Sequence, residues 1–586
     1  MTVAEYLILR LKEFGAEHIF AVPGDYAGSF LNAVDKSDQL TRVGVTNEWI
    51  AGYAADSYAR LRGTGAVCLT YGVGTFGVLN ALAGSYVEEL PIAVVIGSPS
   101  FDQRRVERRE GVLYHHSTGT LTADADSVKN VVVAAEVVRS GAHAPARIDR
   151  ALNAALGWRR PVYIEVYQNA WTEPCRPPAR ALKPAALPLS KKSLEAAVDR
   201  TLARLKGAKV PVIWAGVEVQ RFGLQPRLEE IIDLTGLPWT TDLLGKSVLS
   251  EDHPGFKGVF DGASAIKNVM DLFDASSWVL GLGNIVTDDF AVWVEAHYDN
   301  MILASNNSVR VGQKTFDEVP LAAFMDVLFH RISKRAYRAP AGALAALDRV
   351  STPAKLARTR FAALRALPPG TAPDDRITYD RFFDRMKTWV DDSMVLLADT
   401  SIALYSAAEL PVRRRNGFIA QAAWNSIGYT PGGAVGVCYA APGKRAVVFC
   451  GDGGFQETAQ AASDLIRSTR DVVVFVFNNA LYGIEQAFVD PYYFVPDKQG
   501  QRHPPEAFCL LQPWNYAALT DVFGGGWGAT VETMDQLEAA LTSAKSTRGL
   551  SLIDVRIPQD AITPQMLLQA GVTPPVAGPA SARRHE

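Results

Sequence analysis

Cysteine, net charge and long apolar runs are all scarce in this sequence. Its five cysteines are scattered over 586 residues without a CxxC pair, so we expect neither a disulfide framework nor a zinc site. The formal net charge is only −3, which gives no electrostatic reason to expect nucleic acid or an anionic membrane as a partner. No apolar run reaches the roughly 18 residues of a membrane span. The chain starts with an amphipathic helix pattern and not a signal peptide, so we expect a cytoplasmic protein with reduced thiols.

What the sequence does have is length and apolar content. A chain of 586 residues, 48% of them hydrophobic, is long enough for roughly three domains. Short apolar strands alternate with helical segments, a pattern typical of doubly wound parallel sheets. We therefore predict an α/β protein with three doubly wound parallel-sheet domains, joined by Pro- and Ala-rich linkers at 172–190 and 339–374. The predicted boundaries are 1–172, 191–340 and 375–562 for the domains and 563–586 for a C-terminal helix and tail.

The chain is organised around a strand–helix–strand unit between Gly451 and Glu485. The first strand ends in a Gly-Asp-Gly-Gly turn at 451–454, and a helix is predicted from about Phe455 to Arg470. The second strand, from Val472 to Phe477, ends at two asparagines. Because parallel strands have their carboxyl ends at the same edge of a sheet, we expect the turn and the asparagines to face one ligand site.

The residue types at this edge suit a metal-bound diphosphate. Glycine lets backbone N–H groups approach phosphate oxygens, and a helix N-terminus adds positive partial charge. Asp452 and Asn479 are hard oxygen ligands that would hold the Mg²⁺ that neutralises a diphosphate. The alternative is an ordinary turn with a solvated aspartate and an Asn-Asn helix cap. A GDG turn followed about 25 residues later by two asparagines favours the diphosphate site and resembles the thiamine-diphosphate signature.

Further motifs extend this resemblance over nearly the whole chain. The sequence is similar to pyruvate decarboxylases and their indolepyruvate and phenylpyruvate relatives at Val22–Tyr26, Asn47–Asp56, Gly84–Glu88, His115-His116 and Ile427–Pro431. Acetolactate synthases and benzoylformate decarboxylases resemble the GDG region but lack the combination of Asp25 with two histidines. The resemblance implies the domain order pyrimidine-binding, central and diphosphate-binding.

The resemblance also implies two cofactors, thiamine diphosphate and Mg²⁺, and assigns residues to them. Glu48 would hydrogen-bond the aminopyrimidine ring and thereby help to remove the C2 proton of the thiazolium. Ile427 would hold the cofactor in its bent shape, and the backbone carbonyl of Asn425 would meet the 4′-amino group. The metal ligands would be Asp452, Asn479 and the carbonyl of Leu481. The residues implied for the cofactor are Glu48, Thr400, Asn425, Ile427, Gly451, Asp452, Gly453, Gly454, Asn479, Leu481, Tyr482 and Ile484.

On the substrate side the resemblance implies an acid–base cluster. The catalytic residues would be Asp25, Glu48, His115, His116 and Glu485. Asp25 and the two histidines would relay the proton that replaces CO₂, while Glu485 would face the substrate carboxylate. Taken alone, a glutamate in the first turn of a helix is more often a surface charge favoured by the helix dipole. Two adjacent histidines are, taken alone, more often ordinary loop residues.

The sequence departs from the family pattern at positions that bear on the substrate. Leu404 stands where pyruvate decarboxylases have a large aromatic residue, which leaves room for a substrate larger than pyruvate. Phe488, on the other wall, would take back some of that room. Gly454 replaces a common serine, and Leu481 and Gly483 replace the usual glycine and threonine. The metal contact at Leu481 uses a carbonyl, so this change is compatible with metal binding.

We therefore expect a non-oxidative decarboxylase that uses thiamine diphosphate and Mg²⁺ to release an aldehyde and CO₂ from a 2-oxo acid larger than pyruvate. Two alternatives stay open. One is a carboligase that forms 2-hydroxy ketones from a 2-oxo acid donor and an aldehyde or ketone acceptor. The other is a catalytically silent regulatory protein that binds the cofactor. In the family the cofactor lies between domains of two subunits, so the resemblance implies a homodimer or homotetramer.

Overall fold

The computed structural model describes residues 1–335 and 375–572, and these residues form three mainly parallel sheets. The sheets follow one another along the chain and are joined by helices, which confirms the predicted α/β class. The predicted linker at 339–374 and most of the predicted tail lie outside the described residues. The predicted C-terminal helix is present at Pro564–Gln569.

The first sheet has six parallel strands in the order β2-β1-β3-β4-β6-β5. Its strands are β1 His18–Ala21, β2 Thr41–Gly44, β3 Gly65–Thr70, β4 Ile92–Ser98, β5 Ala134–Val138 and β6 Val162–Tyr167. The helices of this part are Val3–Phe14, Gly28–Asp35, Glu48–Arg62, Val73–Val87, Phe101–Glu110, Ala123–Val128 and Ala144–Trp158. Every residue of β3, β4 and β6 is buried, as expected for inner strands of a sheet covered on both faces.

The second sheet has seven strands in the order β13-β12-β11-β10-β7-β8-β9. Its strands are β7 Val212–Ala215, β8 Trp239–Thr241, β9 Phe256–Val259, β10 Val279–Leu282, β11 Met301–Ser305, β12 Ser308–Val311 and β13 Lys314–Asp317. Its helices are Lys191–Leu205, Glu218–Arg221, Gln225–Thr235, Lys267–Ala275, Ala291–His297 and Leu321–Arg335. We predicted a parallel sheet, but β12 runs antiparallel to both of its neighbours, β11 and β13. Only Asn306 and Asn307 join β11 to β12, and so short a connection makes a hairpin and not a crossover.

The third sheet again has six parallel strands, in the order β15-β14-β16-β17-β19-β18. Its strands are β14 Met394–Ala398, β15 Phe418–Ala420, β16 Arg445–Gly451, β17 Val472–Asn478, β18 Trp527–Val531 and β19 Leu550–Arg556. The helices in this part are Tyr379–Trp389, Ile402–Ala407, Tyr429–Ala440, Asp452–Glu457, Ala461–Ser468, Gly483–Val489, Leu519–Val522 and Met534–Ser546.

The helix predicted over 455–470 is two helices, and the first of them begins three residues earlier than predicted. The first helix is Asp452–Glu457 and the second is Ala461–Ser468. The chain leaves the helical conformation at Thr458, whose φ is −134°. Its hydroxyl donates to the carbonyl of Gly428 at 2.7 Å, so a tertiary hydrogen bond holds the break between the helices. Asp452 and the two glycines therefore form the first helical turn itself.

The first and third sheets share one hydrophobic core. Buried residues of the first sheet, such as Phe20 and Leu69, belong to the same cluster as Val395, Val448 and Val474 of the third. Most of the second sheet belongs to two clusters of its own, while Val259 of β9 joins a further cluster of the third domain. The first and third domains are therefore packed as one unit within the chain.

Two helices cross at the centre of this shared core, Glu48–Arg62 and Tyr429–Ala440. Glycine makes the close approach possible, because a Cβ at Gly436 would lie 2.0 Å from the carbonyl oxygen of Ala54. A Cβ at Gly432 would lie 3.0 Å from the Cβ of Tyr53. Both glycines therefore bring the backbone of the third domain against the helix that begins at Glu48.

A buried ion cluster lies beside this crossing. The Arg60 guanidinium donates to Asp56 at 2.7 Å and to Glu88 at 2.5 Å, and all three side chains are at most 5% exposed. Arg60 also donates to the carbonyl of Ala420 at 2.9 Å, and the Tyr429 hydroxyl donates to Asp56 at 2.7 Å. Charges and hydrogen-bonding groups of both domains thus meet in one dry network.

Replacing Arg60 by methionine is expected to destabilise the protein strongly. The change leaves two buried carboxylates without their cation, and breaking a buried ion pair in this way costs about 3–5 kcal/mol. Thermal unfolding measures the effect as a lower midpoint temperature. The matched control is Arg62→Met in the same helix, whose side chain is 41% exposed and forms a surface ion pair with Glu17, so little change is expected. Equal shifts in the two variants would contradict the role of the cluster.

Candidate active site

The strand ends that the sequence singles out meet in the third sheet. β16 and β17 are paired in parallel, with Gly451 opposite Phe477, so the turn after β16 lies next to the asparagines after β17. The Asp452 carboxylate accepts backbone N–H groups from Gly453 at 2.9 Å, Asn479 at 3.1 Å and Ala480 at 2.7 Å. Burial raises the pKa of Asp452 to about 6, against the opposing effect of these hydrogen bonds. The structure therefore brings Asp452 and Asn479 together.

Asn479 carries a buried polar atom that the protein leaves unpaired. Its Oδ1 accepts the N–H of Leu481 at 3.2 Å, whereas its Nδ2 has no hydrogen-bond partner in the described part of the chain. An unpaired buried polar group costs free energy, so its position indicates a site that a ligand completes. The oxygen donors here are a carboxylate, a side-chain amide and a main-chain carbonyl, and this set fits Mg²⁺.

The glycines of the turn leave no room for side chains. A Cβ at Gly453 would lie 2.4 Å from Cε1 of Tyr482, and a Cβ at Gly454 would lie 2.4 Å from Oδ2 of Asp399. The second contact leaves no room at Gly454 for the serine expected from the family resemblance. Because the turn is also the first turn of a helix, its N–H groups suit a diphosphate.

Asp399 belongs to this site, although the sequence analysis did not select it. It is buried, and it accepts the N–H groups of Gly428 and Thr430, each at 2.8 Å. Burial raises its pKa to about 6. These bonds fix the start of the helix Tyr429–Ala440 next to Gly454, while Thr400 follows directly in the chain. The sequence feature that could have identified Asp399 is a carboxylate immediately after a buried strand.

The loop between β15 and the helix Tyr429–Ala440 carries two predicted cofactor residues. Asn425 has a positive φ of 56°, a conformation that asparagine tolerates better than most residues, and its N–H donates to the carbonyl of Gln421 at 3.0 Å. Ile427 is half-buried. One residue further on, a Cβ at Gly428 would lie 2.8 Å from the carbonyl oxygen of Gly454, so the loop ends against the glycine turn.

The first domain of the same chain holds this loop in place. Glu88 accepts the N–H groups of Ala423 and Trp424 at 2.9 and 3.1 Å. The Ser426 hydroxyl lies 2.8 Å from the hydroxyl of Tyr53 and accepts Nδ2 of Asn80 at 2.9 Å. Ser426 is thereby fixed on one side of Ile427, and Asp399 fixes Gly428 on the other.

The structure also gathers the predicted acid–base residues Asp25, His115 and His116. Nε2 of His115 lies 3.2 Å from Oδ2 of Asp25, and the two histidine rings meet edge to face at 4.8 Å. The Tyr26 ring stacks on His115 at 4.8 Å, and the Tyr71 hydroxyl donates to the His115 carbonyl. An aspartate oriented towards a histidine in this way can support proton transfer.

The remaining predicted catalytic residues lie in two different domains. Glu48 begins its helix after the N-cap Asn47 and is half-buried, and its Oε2 would lie 3.4 Å from a Cβ at Gly77. Its carboxylate makes no hydrogen bond among the described residues, so it can bind a partner. Glu485 is exposed in the first turn of the helix Gly483–Val489 in the third domain, where Ile484 also lies.

Within one chain, the histidine cluster and the glycine turn are not in contact. In the described part of the chain, the hydrogen bonds and ring contacts of Asp25, His115 and His116 all lie within the first domain. The metal and diphosphate residues lie in the third. The structure thus keeps these two groups of predicted site residues apart within one chain.

Comparison with known protein families decides the identity of this arrangement. Three family models match in order: the N-terminal thiamine pyrophosphate binding domain over residues 1–136, the central domain over 198–331 and the C-terminal thiamine pyrophosphate binding domain over 400–555. The chain belongs to the thiamine pyrophosphate enzyme family. Within this family it is similar to the 2-oxo acid decarboxylases, and thiamine pyrophosphate is the thiamine diphosphate expected from the sequence.

Several relatives match over almost their whole length. An indole-3-pyruvate decarboxylase of Azospirillum brasilense is 29% identical, with 96% of both chains covered. An alpha-keto-acid decarboxylase of Mycobacterium tuberculosis is 30% identical over 97% of this chain and 96% of its own. A probable pyruvate decarboxylase of Schizosaccharomyces pombe is 28% identical, with 98% of both chains covered.

In the described part of this thiamine diphosphate enzyme we looked for helices that could span a membrane and for clusters of metal-binding side chains. None of its helices is both long and apolar enough to cross a membrane. No group of three or more His, Cys, Asp or Glu side chains within it is placed to hold a metal ion. The site predicted for Mg²⁺ has a single carboxylate, with the other ligands expected from an amide and a carbonyl, so it differs from such a cluster.

Asn479→Ala is expected to weaken the binding of thiamine diphosphate in the presence of Mg²⁺ by about tenfold or more, because it removes an oxygen ligand of the metal. Calorimetric titration of the cofactor at fixed Mg²⁺ measures the affinity. Asn478→Ala is the matched control, since the Asn478 amide already donates to Asp554 at 2.9 Å. Equal affinities of the two variants would show that Asn479 does not hold the metal.

Proposed function

We propose that this enzyme uses thiamine diphosphate and Mg²⁺ to convert a 2-oxo acid larger than pyruvate into an aldehyde and CO₂. The observation that carries the proposal is the pairing of Asp25 with His115, 3.2 Å apart beside His116. A protein that only bound the cofactor would have no use for this proton relay. The names of the relatives, which are decarboxylases of indole-3-pyruvate, alpha-keto acids and pyruvate, support the same reaction class.

Each group of residues has one task in this reaction. Thiamine diphosphate, when bound, supplies the carbon nucleophile and the electron sink for loss of CO₂. Asp452, Asn479 and the carbonyl of Leu481 would hold Mg²⁺, while the glycine turn would donate N–H groups to phosphate oxygens. The carboxyl of Glu48 would share a proton with the pyrimidine ring. These residues bind and orient the reacting groups.

The proton balance of the reaction indicates what the acid–base cluster would do. One carbon–carbon bond breaks, CO₂ leaves, and one proton takes the place of the carboxyl group on the carbonyl carbon. His115 and His116, with Asp25 behind them, would deliver that proton. Glu485 would lie opposite the substrate carboxylate, where its charge favours departure as neutral CO₂ once water is excluded.

The wall beside the reacting centre supports a substrate larger than pyruvate. Leu404, at the position of a large aromatic residue in pyruvate decarboxylases, is buried and lines a cavity together with Asn425. Phe488, expected on the other wall, is 51% exposed and does not line this cavity. Room beyond a methyl group therefore lies on the Leu404 side.

A dimer or tetramer would complete the site. The histidine cluster lies in the first domain and Glu485 in the third, without contact between them among the described residues. Val112 and Leu113, just before the histidines, are 46% and 64% exposed, and Phe508 near the glycine turn is 66% exposed. Exposed apolar surface beside each group of predicted site residues suits an interface with a second copy. The five free cysteines agree with a cytoplasmic location.

Glu48→Gln is expected to lower kcat for decarboxylation by about 10²–10⁴-fold, because an amide cannot share the proton that the pyrimidine ring needs. Release of CO₂ from a panel of 2-oxo acids measures the loss, and titration with thiamine diphosphate checks that the cofactor still binds. Glu110→Gln, an exposed change in the same domain, is the control. Unchanged activity of Glu48→Gln would remove the proposed role.

The same panel separates the decarboxylase from the carboligase. With an acceptor aldehyde added, free aldehyde is expected to remain the main product of the 2-oxo acid. A 2-hydroxy ketone in excess of free aldehyde would assign carboligation as the main reaction.

Mixing two inactive variants is expected to restore activity if the site lies between subunits. In a mixed dimer of Glu48→Gln and Asp452→Ala chains, one of the two sites contains neither change. The purified mixed dimer is therefore expected to have about half of wild-type activity, and an unseparated random mixture about a quarter. Co-expression with two different affinity tags isolates the mixed dimer, and CO₂ release measures it. Activity no higher than that of either variant would place each site within one chain.

A further inference from the structure

A narrow cavity lies where the central domain meets the third domain, beside the reacting centre. The space in the cavity and in front of it amounts to about 320 Å³, open solvent included. Leu404 and Asn425 form the side towards the cofactor residues, while Asp242, Asp261 and Asp289 reach it from the central domain. The cavity thus leads from the site of decarboxylation to three carboxyl groups.

The three carboxyl groups have only neutral partners. Asp242 accepts Nδ2 of Asn284 at 2.7 Å, Asp261 accepts the hydroxyl of Ser264 at 2.9 Å, and Asp289 accepts Nε2 of Gln569. In the described part of the chain, no lysine, arginine or histidine forms an ion pair with any of them. A buried carboxylate without a cation is unfavourable, so the arrangement leaves a place for a positive charge.

The fold brings two of these carboxyl groups close together. A Cβ at Gly262 would lie 2.1 Å from the carbonyl oxygen of Asp289, so the turn after Asp261 packs directly on the backbone of Asp289. Asp242 and Asp261 are only 2% and 4% exposed. Burial raises the pKa of both to about 7, and a cation between them would favour their ionised forms.

Tyr405 is an independent sign of a polar ligand. It lines the cavity and is 8% exposed, yet its hydroxyl has no hydrogen-bond partner among the described residues. Burial, and after it the charges of Asp289 and Asp261, raises the pKa of this phenol. Because Tyr and other buried polar groups usually have a hydrogen-bond partner, this unpaired hydroxyl is available to a polar ligand.

A metal ion does not explain this cavity. No three His, Cys, Asp or Glu side chains in the described ranges are placed to hold one. Most of the space is open to solvent and the enclosed part is small, which suits an extended chain better than a ring. A primary ammonium or guanidinium at the end of such a chain carries several N–H donors, enough for separated carboxylates and a phenol oxygen.

We propose that this cavity takes the side chain of the substrate and that the enzyme prefers an unbranched 2-oxo acid ending in a cationic nitrogen. This preference rests on the proposed decarboxylation. Asp261 and Asp289 bind the cation, Tyr405 accepts a further N–H, and Leu404 contacts the methylene groups next to the reacting carbon.

The test compares 2-oxo acids of similar length and different charge with the wild-type holoenzyme. The value of kcat/KM for 5-guanidino-2-oxopentanoate is expected to exceed that for 2-oxoheptanoate by about tenfold or more, as a charge-assisted hydrogen bond provides. 2-Oxoglutarate, with a distal negative charge, is expected to be the poorest of the three. A higher kcat/KM for 2-oxoheptanoate, or equal kcat/KM for the two acids, overturns the inference but does not contradict the proposed decarboxylation. Failure to release CO₂ from any 2-oxo acid would overturn the decarboxylase itself.

Three variants test the carboxyl groups and the phenol of the cavity against a nearby exposed position. Asp261→Asn is expected to lower the ratio of kcat/KM for the guanidino acid to that for 2-oxoheptanoate by about tenfold. Asp288→Asn, next to Asp289 but exposed, is expected to leave the ratio unchanged. Tyr405→Phe, which removes only a hydroxyl, is expected to lower the same ratio and serves if Asp261→Asn does not fold. A ratio unchanged in Asp261→Asn and Tyr405→Phe would overturn the inference.

Discussion

The buried ion cluster around Arg60 determines how the two cofactor-binding domains of the chain are placed. Arg60 holds Asp56 and Glu88 in the first domain, and through Ala420 and Tyr429 the cluster is bonded to the third. A cluster of this kind contributes little net stability when compared with a well-packed apolar core. What it provides is a single arrangement, because any other leaves a buried charge unpaired.

The consequence for the active site is direct. Glu88 uses one carboxylate oxygen for Arg60 and the other for the N–H groups of Ala423 and Trp424, at the start of the loop that carries Asn425 and Ile427. The packing of the two domains within the chain therefore sets the position of the residue that would shape the cofactor. The predicted cofactor residues on the third domain are thus positioned by the chain's own first domain, while the hydrogen bonds and ring contacts of the histidine cluster, among the described residues, lie within the first domain.

Much of the third-domain site could be predicted from the sequence because its determinants are local. Asp452 and Asn479 follow adjacent parallel strands, and the topology alone places such strand ends together. Asp399 was missed because its role depends on contacts with Gly428 and Thr430, about thirty residues away in the chain. The helix break at Thr458 was missed for the same reason, since the stabilising partner is the carbonyl of Gly428. The acidic cavity was also missed, since its carboxylates and Tyr405 come from separate segments that only the fold brings together.

The sequence by itself determined the α/β class, the three-sheet organisation, the strand ends that carry the glycine turn and the asparagines, and the pairing of Asp25 with the histidines as a hypothesis. The fold class, the sheet organisation and the strand ends depend on periodicity and spacing, which act over short stretches of chain. The pairing of Asp25 with the histidines was implied by the family resemblance. Only the tertiary structure decided that β12 and β13 run antiparallel, that Arg60 joins two domains, that Gly454 has no space for a serine, and that three aspartates share one cavity. These depend on which distant surfaces meet, and that is decided by packing and by the cost of leaving buried polar groups unpaired.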